Sequence, residues 1–147
     1  MIKHSIGSLA SKYKAKQKQA KKIDAVVKAI ALAADRDIVR RAGRGVDIHG
    51  SGFTRYSRAY AAKKSAITGS SKVDLRLTGD MFGSMGVSRI AKAKYKLHFR
   101  GASANTKATT HNRGLGNMPR REFFGISRKI RKLIKAKSDA KARVIVK

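Results

Sequence analysis

Residues 86–100 read GVSRIAKAKYKLHFR. Within them Tyr95, Leu97 and Phe99 alternate with Lys94, Lys96, His98 and Arg100. A period of two, with apolar and charged residues on opposite faces, marks a half-buried strand. Val87 to Ile90 pair with it as an antiparallel hairpin through the turn Ala91-Lys92-Ala93-Lys94. On either side of this hairpin the apolar period changes, and both ends of the chain read as helix.

On the N-terminal side, Ile23, Val26, Val27, Ile30, Ala34, Ile38 and Val39 recur at three- and four-residue steps. They form one apolar helical stripe, with Asp24, Lys28, Asp35, Arg36 and Arg40 outside it. Upstream, Lys12, Lys14, Lys16, Lys18, Lys21 and Lys22 are interleaved with Ala and Gln, which favour helix. One long helix over about residues 8–42 is expected. Arg40 and Arg41 suit its negative end, and Gly43 is the expected stop.

Between helix and hairpin, Gly43, Gly45, Gly50 and Gly52 punctuate a loop. In residues 53–64, FTRYSRAYAAKK, Phe53, Tyr56 and Tyr60 stand at i, i+3, i+7, so a short helix capped by Thr54 or Ser57 is expected. Residues 65–72 read as a Gly/Ser loop. In residues 73–85, VDLRLTGDMFGSM, the alternation of Val73, Leu75 and Leu77 competes with the four-residue steps Leu77, Met81, Met85. Thr78-Gly79-Asp80 interrupts both, which predicts a turn followed by a short helix.

Beyond the hairpin, residues 101–118 are rich in Gly, Ser, Thr and Asn and read as a long loop, of a kind that is usually functional or mobile. The single proline, Pro119, follows. Ile126, Ile130, Leu133 and Ile134 then define a last amphipathic helix over residues 126–137. Val144-Ile145-Val146 is a small apolar tail that suits an added strand or a docking element. The inventory is α+β, with a long N-terminal helix, a small antiparallel sheet and a C-terminal helix. Its organisation is a basic arm or helix start over 1–22, one domain over 23–137 and a tail over 138–147.

The chain has 147 residues, with 36 Lys plus Arg against 8 Asp plus Glu, a net charge of +28. That density demands a polyanionic neighbour, and argues against a lone metabolic enzyme. Aromatic residues make up 6% and much of the apolar content is Ala, so the core is thin and an assembly is expected to complete it. No apolar run is long enough to span a membrane, and Met1-Ile2-Lys3-His4 does not begin a signal peptide. The narrow apolar stripe of the last helix, with no Trp, favours packing within the domain over lying on a bilayer. The lack of cysteine excludes disulfides, thiolate metal sites and thiol nucleophiles.

Catalytic constellations are weak. Asp24, Asp35 and Asp37 fall in the helical run, where solvated or ion-pairing roles dominate. Asp74, Asp80 and Glu122 are the best trio for a two-metal nuclease, with no pocket to hold them. His4, His49, His98 and His111 have no ligand spacing. Gly43-Arg44-Gly45 and Gly69-Ser70-Ser71-Lys72 lack the phosphate-loop frame. Gly83-Ser84-Met85-Gly86 matches a GXXG pattern without a basic residue, and Tyr95 and Phe99 suit a core face better than base stacking. No catalytic residue, metal site, cofactor or small-molecule substrate is expected. The distributed cations suit non-specific phosphate contact instead.

Three ordered segments carry a resemblance. The first is Asp47-Ile48-His49-Gly50-Ser51-Gly52-Phe53-Thr54-Arg55-Tyr56-Ser57, then Tyr60 and Lys63-Lys64. The second runs from Val73 to Met85, centred on Leu77-Thr78-Gly79-Asp80-Met81. The third is His111-Asn112-Arg113-Gly114, then Met118-Pro119-Arg120-Arg121-Glu122-Phe123-Phe124-Gly125-Ile126-Ser127. Together, over about residues 20–135, they resemble the tail-completion, or virion-morphogenesis, proteins of tailed bacteriophages. Phe53 stands where that family often has Trp, and the stretch before His111 departs from its usual hinge.

The resemblance implies a non-enzymatic ring subunit of the head–tail connector, neck or tail terminus, assembled in the host cytoplasm. Its partners would be further copies of itself, other neck, connector or tail-tube proteins, and DNA held by phosphate contact, with no membrane. Basic residues expected to face DNA or partners are Lys12, Lys14, Lys16, Lys18, Lys63, Lys64, Lys92, Lys94 and Lys96; a solvated basic face is the plain alternative for each. Expected structural or interface anchors are Phe53, Tyr56, Tyr60, Phe123 and Phe124, with core packing the alternative. Thr78 suits a helix cap and Gly79 a tight turn. Pro119 suits an extended entry to Arg120, and Gly125 a sharp turn. Loops 65–72 and 101–118 are expected to order on assembly. Composition alone also fits a small basic RNA-binding protein of ribosomal type, but that reading leaves the three motifs unexplained.

Overall fold

The computed structural model describes residues 6–145, with side chains over residues 10–138. Residues 1–5 of the expected arm and residues 146–147 of the expected tail lie outside the described residues. The fold is α+β. Helix α1 spans Ile6–Gly43, α2 Arg58–Thr68 and α3 Asp80–Gly83. Strands β1, Met85–Ala91, and β2, Lys94–Phe99, follow, then α4, Ala102–Arg113, and α5, Arg128–Ile145.

The hairpin forms as its alternation predicts. β1 and β2 pair antiparallel with Val87 opposite Leu97 and Met85 opposite Phe99, and an irregularity falls at Arg89/Ala91. Its tip is tied to α1 by Asp24, which accepts from Ala93 N at 2.7 Å, Tyr95 OH at 3.1 Å and Arg89 Nε at 3.3 Å. The Ala93 hydrogen bond is the main reason the Asp24 carboxyl is held below its ordinary range, and Tyr95 and Arg89 act the same way against burial.

The body of α1 packs on β1, β2 and α5. Its inner face is Ala31, Ala34, Asp37, Ile38, Arg41 and Ala42, all buried, while Val26 and Leu32 stay exposed. The helix runs unbroken from the basic stretch into the body. Its last residue is Gly43, as expected, and the turn that closes it is centred on Gly45: Gly45 N donates to the Ala42 carbonyl at 2.9 Å and Val46 N to the Arg41 carbonyl at 3.0 Å. That paired closure needs a left-handed residue, and Gly45 has φ 77°.

Three expectations shift. The expected 101–118 loop is largely helix: α4 occupies residues 102–113, with Gly101 as its N-cap and Gly114, φ 69°, closing it, and only 114–118 stay irregular. Ala104 and Ala108, at i and i+4, press on the core, and that packing outweighs weak local propensity. The helix expected over 53–64 begins later, at Arg58, with Ser57 Oγ accepting from Tyr60 N at 3.3 Å, and runs to Thr68 through part of the expected 65–72 loop. Val144 and Ile145 belong to α5 rather than to a strand.

The core gathers Ile38, Ala42, Leu75, Met81, Phe82, Met85, Phe99, Ala108 and Phe123. Phe123, wholly buried, makes edge contacts with Phe82 at 5.5 Å and Phe99 at 6.2 Å between ring centres.

Candidate nucleic-acid and partner interface

The three motif segments, far apart in sequence, meet beside this core. Lys64 on α2 is 1% exposed; its Nζ donates to Asp74 Oδ1 at 2.6 Å and to the Lys72 carbonyl, and lies 5.7 Å from the centre of the Tyr56 ring. Tyr56 OH accepts from Leu75 N at 3.1 Å. Arg121, 2% exposed, donates to the carbonyls of Thr54 at 2.9 Å and Arg55 at 3.1 Å, and stacks 4.9 Å over Tyr56. The Arg121 amide also donates to the His111 carbonyl at 2.8 Å. First, second and third segments are thus joined through Tyr56.

Burial dominates the titration of this cluster. It pushes the Tyr56 phenol up, and it pushes the Arg121 guanidinium down. It also lowers His111, with the Arg121 cation acting in the same direction. Two adjoining cavities, of about 250 and 220 Å³, share Tyr56, Tyr60, His111 and Met118 in their walls.

A second knot closes the far side. Asp37, buried on α1, accepts from Arg41 Nε at 2.9 Å, Arg40 at 3.1 Å and Ser127 Oγ at 2.7 Å. Burial works to raise its pKa, but the hydrogen bonds from Ser127 and Arg41 prevail and hold it below the ordinary value. Arg41 reaches on to the carbonyls of Phe123 and Gly125. Ser127 in turn accepts from Ile130 N at 3.4 Å at the start of α5. The end of α1, the third motif and α5 are therefore one unit.

The expected anchors fall mostly inside. Phe53 and Phe124 are half-buried against the core, and Tyr56 and Tyr60 are half-buried in contact at 4.7 Å. Phe123, fully buried, is a core residue and cannot meet a partner. Thr78 donates to Asp80 Oδ2 at 2.6 Å and accepts from Asp80 N at 3.5 Å, while Gly79, φ 88°, is the cap residue itself. Pro119 lines the smaller cavity, and Arg120 pairs with Glu122 at 2.6 Å. Gly125 has no left-handed backbone; it serves a close approach, since a Cβ there would stand 3.3 Å from Ile48 Cγ2.

Of the expected basic surface, Lys12, Lys14, Lys16, Lys18, Lys63, Lys92, Lys94 and Lys96 are exposed. Lys64 is the exception: its ammonium is committed to Asp74 and unavailable to a polyanion. Residues 10–22 of α1 are exposed almost throughout, with Tyr13 64% exposed, so their lysines point in all directions around about 20 Å of free helix. The Asp24 anchor brings the hairpin tip, with Lys92 and Lys94, to the body end of that stretch. Lys96, on the same strand face as Lys94, also borders a cavity beside α4.

Four further cations on α5 complete the surface. Arg128, Arg131, Lys132 and Lys135 are exposed and stand at i, i+3, i+4, i+7, one helix face opposite the apolar stripe. The spacing was the available signal for them. The nearest acid along the helix is Asp139, four residues after Lys135.

The three acids of the expected trio are each paired within the fold. Asp74 pairs with Lys64, Asp80 with Thr78 and Glu122 with Arg120. Among the described residues no group of three His, Cys, Asp or Glu is placed to hold a metal ion, and no helix is long and apolar enough to cross a membrane. Compared with models of known protein families, with curated proteins and with solved structures, the chain matches none.

Proposed function

We propose that this protein is a non-enzymatic structural subunit of a tailed-phage virion, forming a ring at the head–tail connector, neck or tail terminus around the DNA path. The observation that carries the reading is the meeting of the three family-like segments in one cluster, where Lys64–Asp74 joins the first to the second and Arg121 joins the third to the first. Motifs that share a core behave as the signature of a fold rather than as scattered short matches.

The exposed charge supports the mechanism. The α1 lysines and the α5 face meet phosphate oxygens without a reading head, so they position the subunit on DNA and carry no sequence preference. Self-repulsion at +28 is relieved in a ring by DNA in the channel and by acidic neighbours. Other copies of the chain and neck, connector or tail-tube proteins are its partners.

Two measurements test this. Antibody against the protein labels the neck or tail end of intact virions; labelling of host ribosomes in its place overturns the reading in favour of an RNA-binding protein. Affinity for duplex DNA falls roughly a thousandfold between about 50 and 200 mM salt if about six phosphates are contacted. Salt-insensitive binding contradicts the phosphate account.

A further inference from the structure

The sheet has two strands, so among the described residues the outer edge of β2 has no strand partner. Arg100 N donates to the Ser84 carbonyl at 2.9 Å, which makes that pair a hydrogen-bonded one. Alternation along the register then makes Gly86/His98 and Ser88/Lys96 hydrogen-bonded pairs as well. The backbone N–H and C=O groups of Leu97 and Phe99 therefore point away from β1, toward the open edge.

A cavity of about 400 Å³ lies along that edge. Its walls include four consecutive strand residues, Lys96, Leu97, His98 and Phe99, facing Ala108 and Arg113 of α4. Successive side chains of a strand point to opposite faces, so a space touching four in a row abuts the strand's edge rather than one face. The side chains divide by that parity. Lys96 and His98 lie on the outer face, and Leu97 and Phe99 on the inner. No acid lines the cavity, and the buried His98 Nδ1 has no hydrogen-bond partner.

We propose that this cleft receives an extended segment of a different protein, paired to β2 as an added strand, with acidic and apolar residues alternating. Its backbone would meet the free groups of Leu97 and Phe99. Its carboxylates would face Lys96, His98 and Arg113, and its apolar side chains would rest against Phe99, Phe124 and Ala108. The occupant is not this chain. Asp24, Asp37, Asp47, Asp74, Asp80 and Glu122 all accept hydrogen bonds within their own fold, and none of its non-helical segments outside the hairpin carries more than one acid. The inference does not rest on the phage reading.

The test uses the full chain and a fluorescent peptide of about six residues alternating Val and Glu. Binding is expected to slow amide hydrogen exchange at Leu97 and Phe99 by roughly tenfold or more. A control peptide with Pro in place of Val is expected not to bind, since it cannot donate to the edge. Reversing both exposed cations, Lys96→Glu with Arg113→Glu, is expected to weaken the Val/Glu peptide by roughly tenfold or more. Unchanged exchange at Leu97 and Phe99 overturns the proposal without need of any variant. Equal binding of the Pro peptide overturns it too, as does a short single-stranded oligonucleotide protecting those two amides where the peptide does not.

Discussion

Lys63 and Lys64 are neighbours with the same charge, and replacing either lowers the net charge equally. Any general relief of self-repulsion is therefore shared, and the difference between them reports the burial of Lys64 and the hydrogen bonds it makes there. Lys64→Ala removes a stem from the interior and leaves the Lys72 carbonyl without its donor. Losing the stem costs about 2 kcal/mol and the orphaned partners about 1–2 kcal/mol more. The cost stays at the lower end because Asp74 is 20% exposed and keeps Arg76 N at 2.9 Å. The sum, about 3 kcal/mol, lowers Tm by about 10 °C in a domain of this size. Lys64→Met keeps most of the stem and should cost about half as much. Lys63→Ala on the exposed face should stay within about 0.5 kcal/mol. Thermal unfolding by circular dichroism measures the series, and DNA titration at several salt concentrations runs beside it. Lys64→Met should leave the salt dependence of DNA binding unchanged. Equal Tm values for the Lys63 and Lys64 variants, or a loss of DNA contact specific to Lys64, would refute the placement of Lys64 in the core.

Further outcomes follow from single geometries. Gly45 and Gly69 both end helices in the left-handed region, but a Cβ on Gly45 would stand 2.7 Å from the Val73 carbonyl, whereas Gly69 has open space. Gly69→Ala should cost about 1 kcal/mol and Gly45→Ala about 3 kcal/mol or more in urea unfolding; equal costs contradict the close approach. His111 is held below its ordinary 6.5 by burial and by Arg121. The unfolded chain then takes up a proton that the folded one refuses, so stability should fall as pH drops through 6.5, and His111→Asn should flatten that limb. Asp37, held below its ordinary 3.8, adds stability that is complete above that range and is lost as pH falls through its lowered folded value; Asp37→Asn should remove that acid dependence. Asp24→Ala frees Arg89, Ala93 and Tyr95 together. It should speed amide exchange at Ala93 while leaving the Phe123 region unchanged.

Strong periodicity made α1, α5 and the hairpin legible, because their apolar residues recur at one spacing over many positions. α4 was hidden by its composition. Its inner stripe is Ala104 and Ala108, small residues that contribute little to a hydrophobic pattern yet pack in the same core as Phe99 and Phe124, continued at i+7 by the polar His111. The start of α2 was misplaced because Phe53, Tyr56 and Tyr60 mimic one helical face. In the structure Tyr56 precedes the helix and is fixed by Leu75 N, Arg121 and Lys64, contacts from segments distant in sequence. The burial of Lys64 had a local signal, its position four residues after Tyr60, which the adjacent Lys63 masked. The β2 cleft had none, since it depends on how α4 settles beside the strand.

Native mass spectrometry of the purified full chain, with and without duplex DNA, addresses the central proposal most directly. A closed ring of one defined copy number that retains DNA at low salt and sheds it as salt rises is the predicted result. A monomer at every concentration, binding folded RNA tightly and duplex DNA not at all, would contradict it.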